Sequence, residues 1–213
     1  MAIWETLPGE TPIGDISGLK IKGITTRKQL SFAEAENILE ATVKYLEGPL
    51  QKRSARFDLS WCLRLHREMF GNIWTWAGET RQENLNFGVP WHQVQVQLQG
   101  LLDDLVYWEA HWPSVLEQAV HLHYRAVRIH PFMNGNGRWS RMLGNIWLRL
   151  HHCPITLWPE QAIGTVSTIR TEYLDSLKFA DETGDMTPLT ELHERFSDTT
   201  DLYRPMDDKP DSG

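Results

Sequence analysis

The twelve residues HPFMNGNGRWSR, which begin at His130, combine residue types suited to phosphate chemistry. Gly135 and Gly137 allow backbone conformations closed to other residues and leave the backbone N–H groups uncovered. Arg138 and Arg141 are spaced i and i+3, so they share one face of a helix. Because a helix start carries free N–H groups and a positive dipole end, it favours an anion. The segment therefore predicts a polyphosphate cradle, with His130 placed just before it to move a proton.

A helix must follow the glycines in order to carry the two arginines. Apolar residues continue at helical spacing as far as about His152, namely Met142, Leu143, Ile146, Trp147 and Leu150. Asn145 lies seven residues after Arg138, so it belongs to the arginine face of this helix.

The remaining elements also have helical patterns, and we predict an all-α fold with a single small β-hairpin. Capping boxes at Ser31 and Ser114 and an N-cap at Asp58 mark helix starts. Gly88 and Pro90 favour a hairpin in a short segment of mixed polarity. The hairpin is predicted over residues 82–92, and helices over 31–47, 58–70, 93–112, 114–129, 160–180 and 187–196.

Length and composition indicate a single domain. The 213 residues are 41% hydrophobic, and we expect an irregular arm over residues 1–24, the domain over 25–196 and a polar tail over 197–213. The formal net charge of −7, without a basic stripe, disfavours a nucleic-acid partner. No signal peptide or membrane-length apolar run is evident, and the two cysteines lack CxxC spacing. We therefore expect a cytoplasmic protein without a membrane partner.

The nine histidines do not have the spacing of a metal site. Neither HExxH nor Cys/His finger spacing occurs, which disfavours zinc. His121 and His123 would project about 200° apart on a helix, so they could not bind one ion together. We expect His123 to form hydrogen bonds inside the core instead.

The motif resembles the signature of the Fic (Fic/Doc) family, HPFx[D/E]GNGRxxR. The matching residues are HPF at 130–132, GNGR at 135–138, and Arg141. HREMFG at 66–71 and WAG at 76–78 are similar to the segment that precedes the family's hairpin flap. NFGVPWH at 86–92 and NGNGR at 134–138 are similar to a subgroup called mobile mystery protein B. The resemblance covers roughly residues 25–196.

The resemblance implies a protein adenylyltransferase, which moves AMP from ATP to a Ser, Thr or Tyr hydroxyl of a target protein. His130 would be the general base, because a neutral imidazole can accept a proton at neutral pH. The backbone of residues 135–137, together with Asn136, would form the anion hole for the α- and β-phosphates. Arg138 would hold the inner phosphates and Arg141 the γ-phosphate.

The resemblance also implies contacts outside the cradle. Asn145 matches a family position near the adenine. The flap would pair as a strand with an extended target segment; its residues are Asn84, Leu85, Asn86, Phe87, Gly88 and Val89.

Asn134 departs from the family pattern, in which most members have Asp or Glu as a Mg²⁺ ligand. An amide oxygen can coordinate Mg²⁺ or Mn²⁺ but brings no charge. We therefore expect Asn134 to bind the metal cofactor more weakly, with more reliance on phosphate oxygens.

A second departure concerns inhibition. Many Fic proteins carry a helix with the pattern [S/T]xxxE[G/N], whose Glu pairs with the second motif arginine. Glu36 and Asn37 supply the end of that pattern, but Phe32 lies where Ser or Thr is expected. A pair between Glu36 and Arg141 is a hypothesis, and a solvated charge is the alternative.

Other activities stay open within the same fold. Doc-like relatives transfer the γ-phosphate and have Lys where Gly137 lies, so Gly137 argues against that chemistry. Transfer of another nucleotide or of phosphocholine, and removal of AMP, are further family options. A toxin-like or regulatory module with weak or no transferase activity, silenced by an inhibitory partner protein, is the alternative from another class.

Overall fold

The computed structural model describes residues 16–200, and within them the fold is helical. None of these helices is long and apolar enough to cross a membrane. The helices are α1 (Arg27–Thr42), α2 (Leu59–Phe70), α3 (Val94–His111), α4 (Val115–Ile129), α5 (Asn136–Leu150), α6 (Glu160–Ile163), α7 (Thr168–Thr183) and α8 (Thr187–Arg195). A π-helical turn at Val43–Glu47 extends α1, and a 3-10 turn at Trp91–Gln93 leads into α3.

Helix α5 lies at the centre of the fold and packs along α4. Its apolar positions are almost fully buried, with Trp139, Leu143 and Ile146 each at 0% exposure. The largest core cluster joins α5 to α1, α2, α3 and α4. A smaller cluster around Val120 and Leu189 joins α4 to α6, α7 and α8. The motif helix is therefore held within the larger cluster, and α4 links it to the smaller one.

The N-caps predicted at Asp58 and Ser114 are confirmed. An Asp58 carboxylate oxygen accepts from the backbone N–H of Trp61 at 2.7 Å, and the Ser114 hydroxyl accepts from that of Glu117 at 3.2 Å. These bonds satisfy N–H groups that have no acceptor within the helix.

The predicted start of the first helix was wrong. Helix α1 begins four residues before Ser31, because Thr26 and Gln29 form the capping box. The Thr26 hydroxyl accepts from the Gln29 N–H at 3.2 Å, and the Gln29 side chain accepts from the Thr26 N–H at 3.1 Å. The predicted end near Glu47 is confirmed through the π-helical turn.

The single helix predicted over residues 160–180 is two helices. Gly164 ends the short α6, and Ser167 then caps a new helix by accepting from the Arg170 N–H at 3.1 Å. The break matters for the site because it leaves Glu160 on a four-residue helix of its own.

The predicted hairpin over residues 82–92 does not form. Within residues 16–200, strand-like pairing is limited to isolated bridges between Leu19 and Trp74 and between Thr156 and Ser197. The backbone N–H of Val89 donates to the Ile129 carbonyl at 3.4 Å, so it is not available for a cross-strand bond. We keep the name flap for residues 82–92, as an irregular segment.

The expected arm and tail lie mostly outside the described residues, which begin at 16 and end at 200. In the part of the arm that is described, the Lys20 N–H donates to the Ile73 carbonyl at 2.8 Å.

Candidate active site

The motif forms a loop between two packed helices. His130 ends α4 in the left-handed conformation (φ 54°, ψ 61°). Gly135 precedes α5 with φ 79°, and a Cβ there would lie 2.5 Å from Cζ of Phe70. The position therefore requires glycine on both conformational and steric grounds. The first helical bond runs from the Trp139 N–H to the Gly135 carbonyl at 2.9 Å, so the preceding N–H groups have no intrahelical acceptor.

Side chains brace the loop from within. The Asn136 amide accepts from the Phe132 N–H at 2.9 Å and donates to the Phe132 carbonyl at 2.8 Å. His66 accepts from the Gly78 N–H at 3.0 Å, so its Nε2–H donates to the Asn134 carbonyl at 3.0 Å. Because the Asn136 side-chain amide is already bonded to the Phe132 backbone, Asn136 can donate to an anion through its own backbone N–H.

His130 is in the form that a general base needs. Its Nδ1–H donates to the Val127 carbonyl at 3.2 Å, which leaves a lone pair on Nε2. Burial lowers the pKa of His130 to about 4, helped by the charges of Arg81 and Arg128 and opposed by the bond to Val127. The imidazole is therefore neutral at neutral pH.

Arg81 ties the flap to the catalytic loop, a role that sequence reasoning missed. Its side chain is 2% exposed. Nε donates to the His130 carbonyl at 2.7 Å and Nη1 to the Glu83 carbonyl at 2.8 Å, while Nη2 donates to the Val89 carbonyl. Because these carbonyls bond to Arg81, they do not build a strand ladder. The signal available in the sequence was an arginine three residues after the WAG turn.

The flap passes directly beside the histidine. A Cβ on Gly88 would lie 2.5 Å from the His130 Cβ, and Gly88 has φ 95°. The Phe87 ring centroid lies 6.3 Å from that of His130. Residues 86–88 are exposed and Leu85 is half-buried. The predicted flap residues thus form an exposed backbone segment next to the candidate base.

Arg138 is held by an acid on α1. Its Nη1 donates to Glu34 Oε2 at 2.8 Å, and the Trp74 indole N–H donates to Glu34 Oε1 at 2.8 Å. The guanidinium also lies 4.9 Å from the Phe70 ring centroid. Glu34 is only 4% exposed, so the acid is fixed in place by Trp74 and by its packing.

The predicted pair between Glu36 and Arg141 was therefore wrong. Glu36 is exposed on α1. A shift of two residues along a helix rotates a side chain by about 200°, so Glu34 faces the motif and Glu36 faces away from it. Both residues lie on the predicted helix, but sequence spacing did not reveal which of its faces packs on α5.

Arg141 is held by a different acid. Its Nε donates to Glu160 Oε1 at 2.7 Å and its Nη2 donates to Glu160 Oε2, while its guanidinium carbon lies 5.3 Å from the Tyr173 ring centroid. Burial lowers the pKa of Arg141, but Glu160 and Tyr173 outweigh burial, so the pKa is raised overall. Nη1 lies 3.2 Å from where a Cβ on Gly137 would be. The guanidinium therefore lies against the cradle.

A buried polar chain continues behind Tyr173. The hydroxyl of Tyr173 contacts His123 Nε2 at 3.0 Å, His123 Nδ1 contacts His193 Nε2 at 3.0 Å, and His193 Nδ1 contacts the Thr156 hydroxyl at 2.8 Å. The expected core role of His123 is confirmed. The Asn145 amide donates to the Thr156 carbonyl at 2.9 Å and accepts from the Thr156 N–H at 3.0 Å. The predicted adenine partner is thus fully engaged by Thr156.

Asn134 does not fit a divalent cation in this conformation. Its Oδ1 accepts from the Gly135 N–H at 2.5 Å, which fixes the orientation of the amide. Its Nδ2 is buried without a hydrogen-bond partner in the part of the chain that is described. Among residues 16–200, no three His, Cys, Asp or Glu side chains come together as a metal site. The expected coordination by Asn134 is thus not supported by the geometry of its side chain.

Comparison with known sequences finds the same motif region. Residues 56–148 match the model of the Fic/DOC family. The chain is 30% identical over 171 residues to Protein adenylyltransferase Fic of Drosophila virilis and 28% identical over 172 residues to that of Aedes aegypti. Each alignment covers 78% of this chain and 33% of the relative, so the chain spans about a third of the curated relatives' length.

Solved structures share the fold. The crystal structure of BepC from Bartonella tribocorum with bound AMPPNP matches with a TM-score of 0.61 at 19% identity, over 88% of this chain and 95% of that chain. The family match at residues 56–148 includes His130, Arg138 and Arg141, whereas Glu34 and Glu160 lie outside it.

Proposed function

We propose that this chain, whose residues 56–148 match the Fic/DOC family model, is a protein adenylyltransferase that moves AMP from ATP to a protein hydroxyl. One observation carries the proposal. His130, whose Nδ1–H donates to the Val127 carbonyl, lies beside the exposed residues Phe87 and Gly88 and shortly before a helix start that carries two arginines. A base, a target-binding edge and an anion cradle are the parts that nucleotidyl transfer to a protein requires.

In the proposed reaction, the target hydroxyl attacks the α-phosphorus of ATP. His130 Nε2 takes the hydroxyl proton, a new O–P bond forms, and the bond to the β-phosphate oxygen breaks. Pyrophosphate leaves with the electron pair of that bond. The catalytic work is mainly positioning and charge stabilisation, as in other phosphoryl transfers.

The cradle would hold the triphosphate through backbone and guanidinium donors. The N–H groups of Asn136 and Gly137 are proposed for the α- and β-phosphates, joined by that of Gly135 once it leaves Asn134 Oδ1. Arg138 is proposed for the inner phosphates and Arg141 for the γ-phosphate. Bonds from a guanidinium to phosphate are charge-assisted and stronger than neutral ones. Divalent cations bound by the phosphates would supply further charge neutralisation, and we assign no step to them.

The target protein would lie along the flap. Residues 84–88 expose irregular backbone that could form main-chain hydrogen bonds with a target segment, as sheet edges do with bound peptides. Because Gly88 and Phe87 lie next to His130, an acceptor hydroxyl bound in this register would reach Nε2.

We further propose that Glu34 restrains the enzyme. Glu34 occupies Nη1 of Arg138, a nitrogen that a phosphate would otherwise bind. Nucleotide binding would then require Arg138 to leave a buried and immobile acid. Glu34 takes the place that the sequence pattern had suggested for Glu36.

Intact-mass spectrometry of the protein incubated with ATP, with and without Mg²⁺, tests the reaction. We expect a mass gain of one AMP on the protein or on an added target, and no gain in His130→Ala. Retention of an α-phosphate label means nucleotidyl transfer, whereas retention of a γ-phosphate label alone would show a kinase. ATP binding without any transfer, also in Glu34→Gln, would instead favour the non-catalytic regulatory module.

A further inference from the structure

We propose that Glu160 is a positioning residue for Arg141, which it holds with one guanidinium edge directed to the glycine cradle. This inference rests on the proposed function and extends it beyond the motif. Glu160 lies on the separate helix α6, nineteen residues after Arg141 in sequence. The rival interpretation is that Glu160 covers Arg141, as Glu34 covers Arg138.

The pattern of hydrogen bonds favours positioning. A guanidinium has five N–H donors in a fixed plane. Glu160 takes two of them, from Nε and Nη2. Neither donor of Nη1 goes to Glu160. The carboxylate occupies the edge formed by Nε and Nη2, and Nη1 is the nitrogen that lies against Gly137.

The helix geometry explains why Nη1 reaches the cradle. Side chains on a helix tilt toward its N-terminus and cover the preceding turn. Arg141 lies one turn after Gly137, so its guanidinium lies above that glycine. A Cβ on Gly137 would lie only 3.2 Å from Nη1, and glycine leaves this approach open.

The burial of the two partners shows which one is fixed. The Arg141 side chain is 5% exposed and the Glu160 side chain is 46% exposed. The Tyr173 ring centroid lies 5.3 Å from the Arg141 guanidinium carbon, and Tyr173 is itself held by the buried contacts of His123 and His193. Glu160 thus neutralises and orients a buried cation without blocking it from the cradle.

Calorimetric titration of Glu160→Gln with AMPPNP and with AMP tests this inference. We expect affinity for AMPPNP to fall about tenfold, which corresponds to about 1.4 kcal/mol, while affinity for AMP changes less than about twofold. The two affinities should respond differently because Arg141 is assigned to the terminal phosphate, which AMPPNP has and AMP lacks. The control is Glu182→Gln, which removes the same charge from an exposed site on α7 and should change neither affinity.

Three results would contradict the inference. Unchanged or tighter AMPPNP binding in Glu160→Gln would show that Glu160 covers Arg141 or does not act on it. An equal loss of AMPPNP and AMP affinity would show a merely structural role. If Glu160→Gln does not fold, Glu160→Asp, which shortens the acid and keeps its charge, must show the same split. Wild-type protein that binds neither nucleotide would instead overturn the proposed function, and this inference with it.

Discussion

The two motif arginines are both paired with acids, but the pairs are built in opposite ways. In the pair of Arg138 and Glu34, the acid is buried at 5% side-chain exposure and the arginine is 26% exposed. In the pair of Arg141 and Glu160, the arginine is buried at 5% and the acid is 46% exposed. In each pair the buried member is the fixed one. We therefore propose that Glu34 restrains Arg138, whereas Glu160 positions Arg141 for its ligand.

The difference shows that an ion pair does not by itself indicate either inhibition or support. Whether the acid inhibits or supports the arginine depends on which edge of the guanidinium it occupies and on which member of the pair can move. Glu34 occupies Nη1 of Arg138, whereas Glu160 occupies Nε and Nη2 of Arg141 and leaves Nη1 beside Gly137.

The largest expected effect is a loss of folding stability at low pH, because the motif loop and the surroundings of Arg141 contain buried neutral histidines. Burial lowers the pKa of His66, near Arg138, to about 3, that of His130, at the start of the motif, to about 4, and that of His193, near Arg141, to about 3. Burial also lowers the pKa of His123 well below its ordinary value. Below about pH 6.5 the unfolded chain binds more protons than the folded one, so the free energy of unfolding falls as the pH falls.

Urea unfolding at pH 7.5, 6.5 and 5.5 measures this loss. Each buried imidazole contributes up to about 1.4 kcal/mol per pH unit below its unfolded pKa. His193→Gln should lose less free energy of unfolding between pH 6.5 and 5.5 than the parent does. A free energy of unfolding that stays constant down to pH 5 would contradict the account of the buried histidines.

The second prediction concerns the buried acid. Arg138→Ala leaves the Glu34 carboxylate in the core with the Trp74 indole N–H as a hydrogen-bond donor and the charge of Arg27 as the remaining cation near it. We expect the free energy of unfolding to fall by about 3 kcal/mol, the usual cost of stranding one member of a buried pair. Chemical denaturation measures the change, and the double variant with Glu34→Gln should recover most of it. Failure of the double variant to recover would show that Glu34 is not the stranded charge.

The third prediction separates the two acids on α1. Glu34→Gln should speed AMP transfer about tenfold, because Arg138 no longer has to leave a charged partner, a difference of about 1.4 kcal/mol. Glu36→Gln removes the same charge from the exposed face of the same helix and should leave the rate unchanged. Rates come from incorporation of α-phosphate label. Equal effects of the two variants would remove the argument for Glu34.

The smallest effect is expected at the flap, which adjoins His130 rather than either arginine. Arg81→Lys keeps the charge, but a lysine lacks the planar guanidinium with which Arg81 donates to three carbonyls at once. We expect kcat/KM for a protein target to fall about fivefold, since the loss of one of the three hydrogen bonds costs roughly 1 kcal/mol, with AMPPNP affinity unchanged. A parallel loss of AMPPNP affinity would show that Arg81 supports the cradle as well.

Much of this site could be predicted from the sequence because its chemistry is local. The glycines, the base and the arginines lie within twelve consecutive residues, so spacing alone predicted a cradle on a helix start. Glu34 and Glu160 could not be assigned in this way, because each meets its arginine through tertiary packing from a distant element. Glu36 was proposed because Glu36 and Asn37 match the end of the family's inhibitory pattern, whereas helix periodicity does not say which face of the helix meets α5.

The hairpin prediction failed for a related reason. Turn residues such as Gly88 and Pro90 correctly predicted a change of direction, but strands also need free backbone partners. The carbonyls of Glu83 and Val89 are taken by Arg81, a contact that no local pattern encodes.

The central claim is that the two acids have opposite effects on the same ligand. The most direct test is one set of calorimetric AMPPNP titrations on the parent protein, Glu34→Gln and Glu160→Gln. The account predicts tighter binding in Glu34→Gln and weaker binding in Glu160→Gln. A change in the same direction for both variants would contradict it.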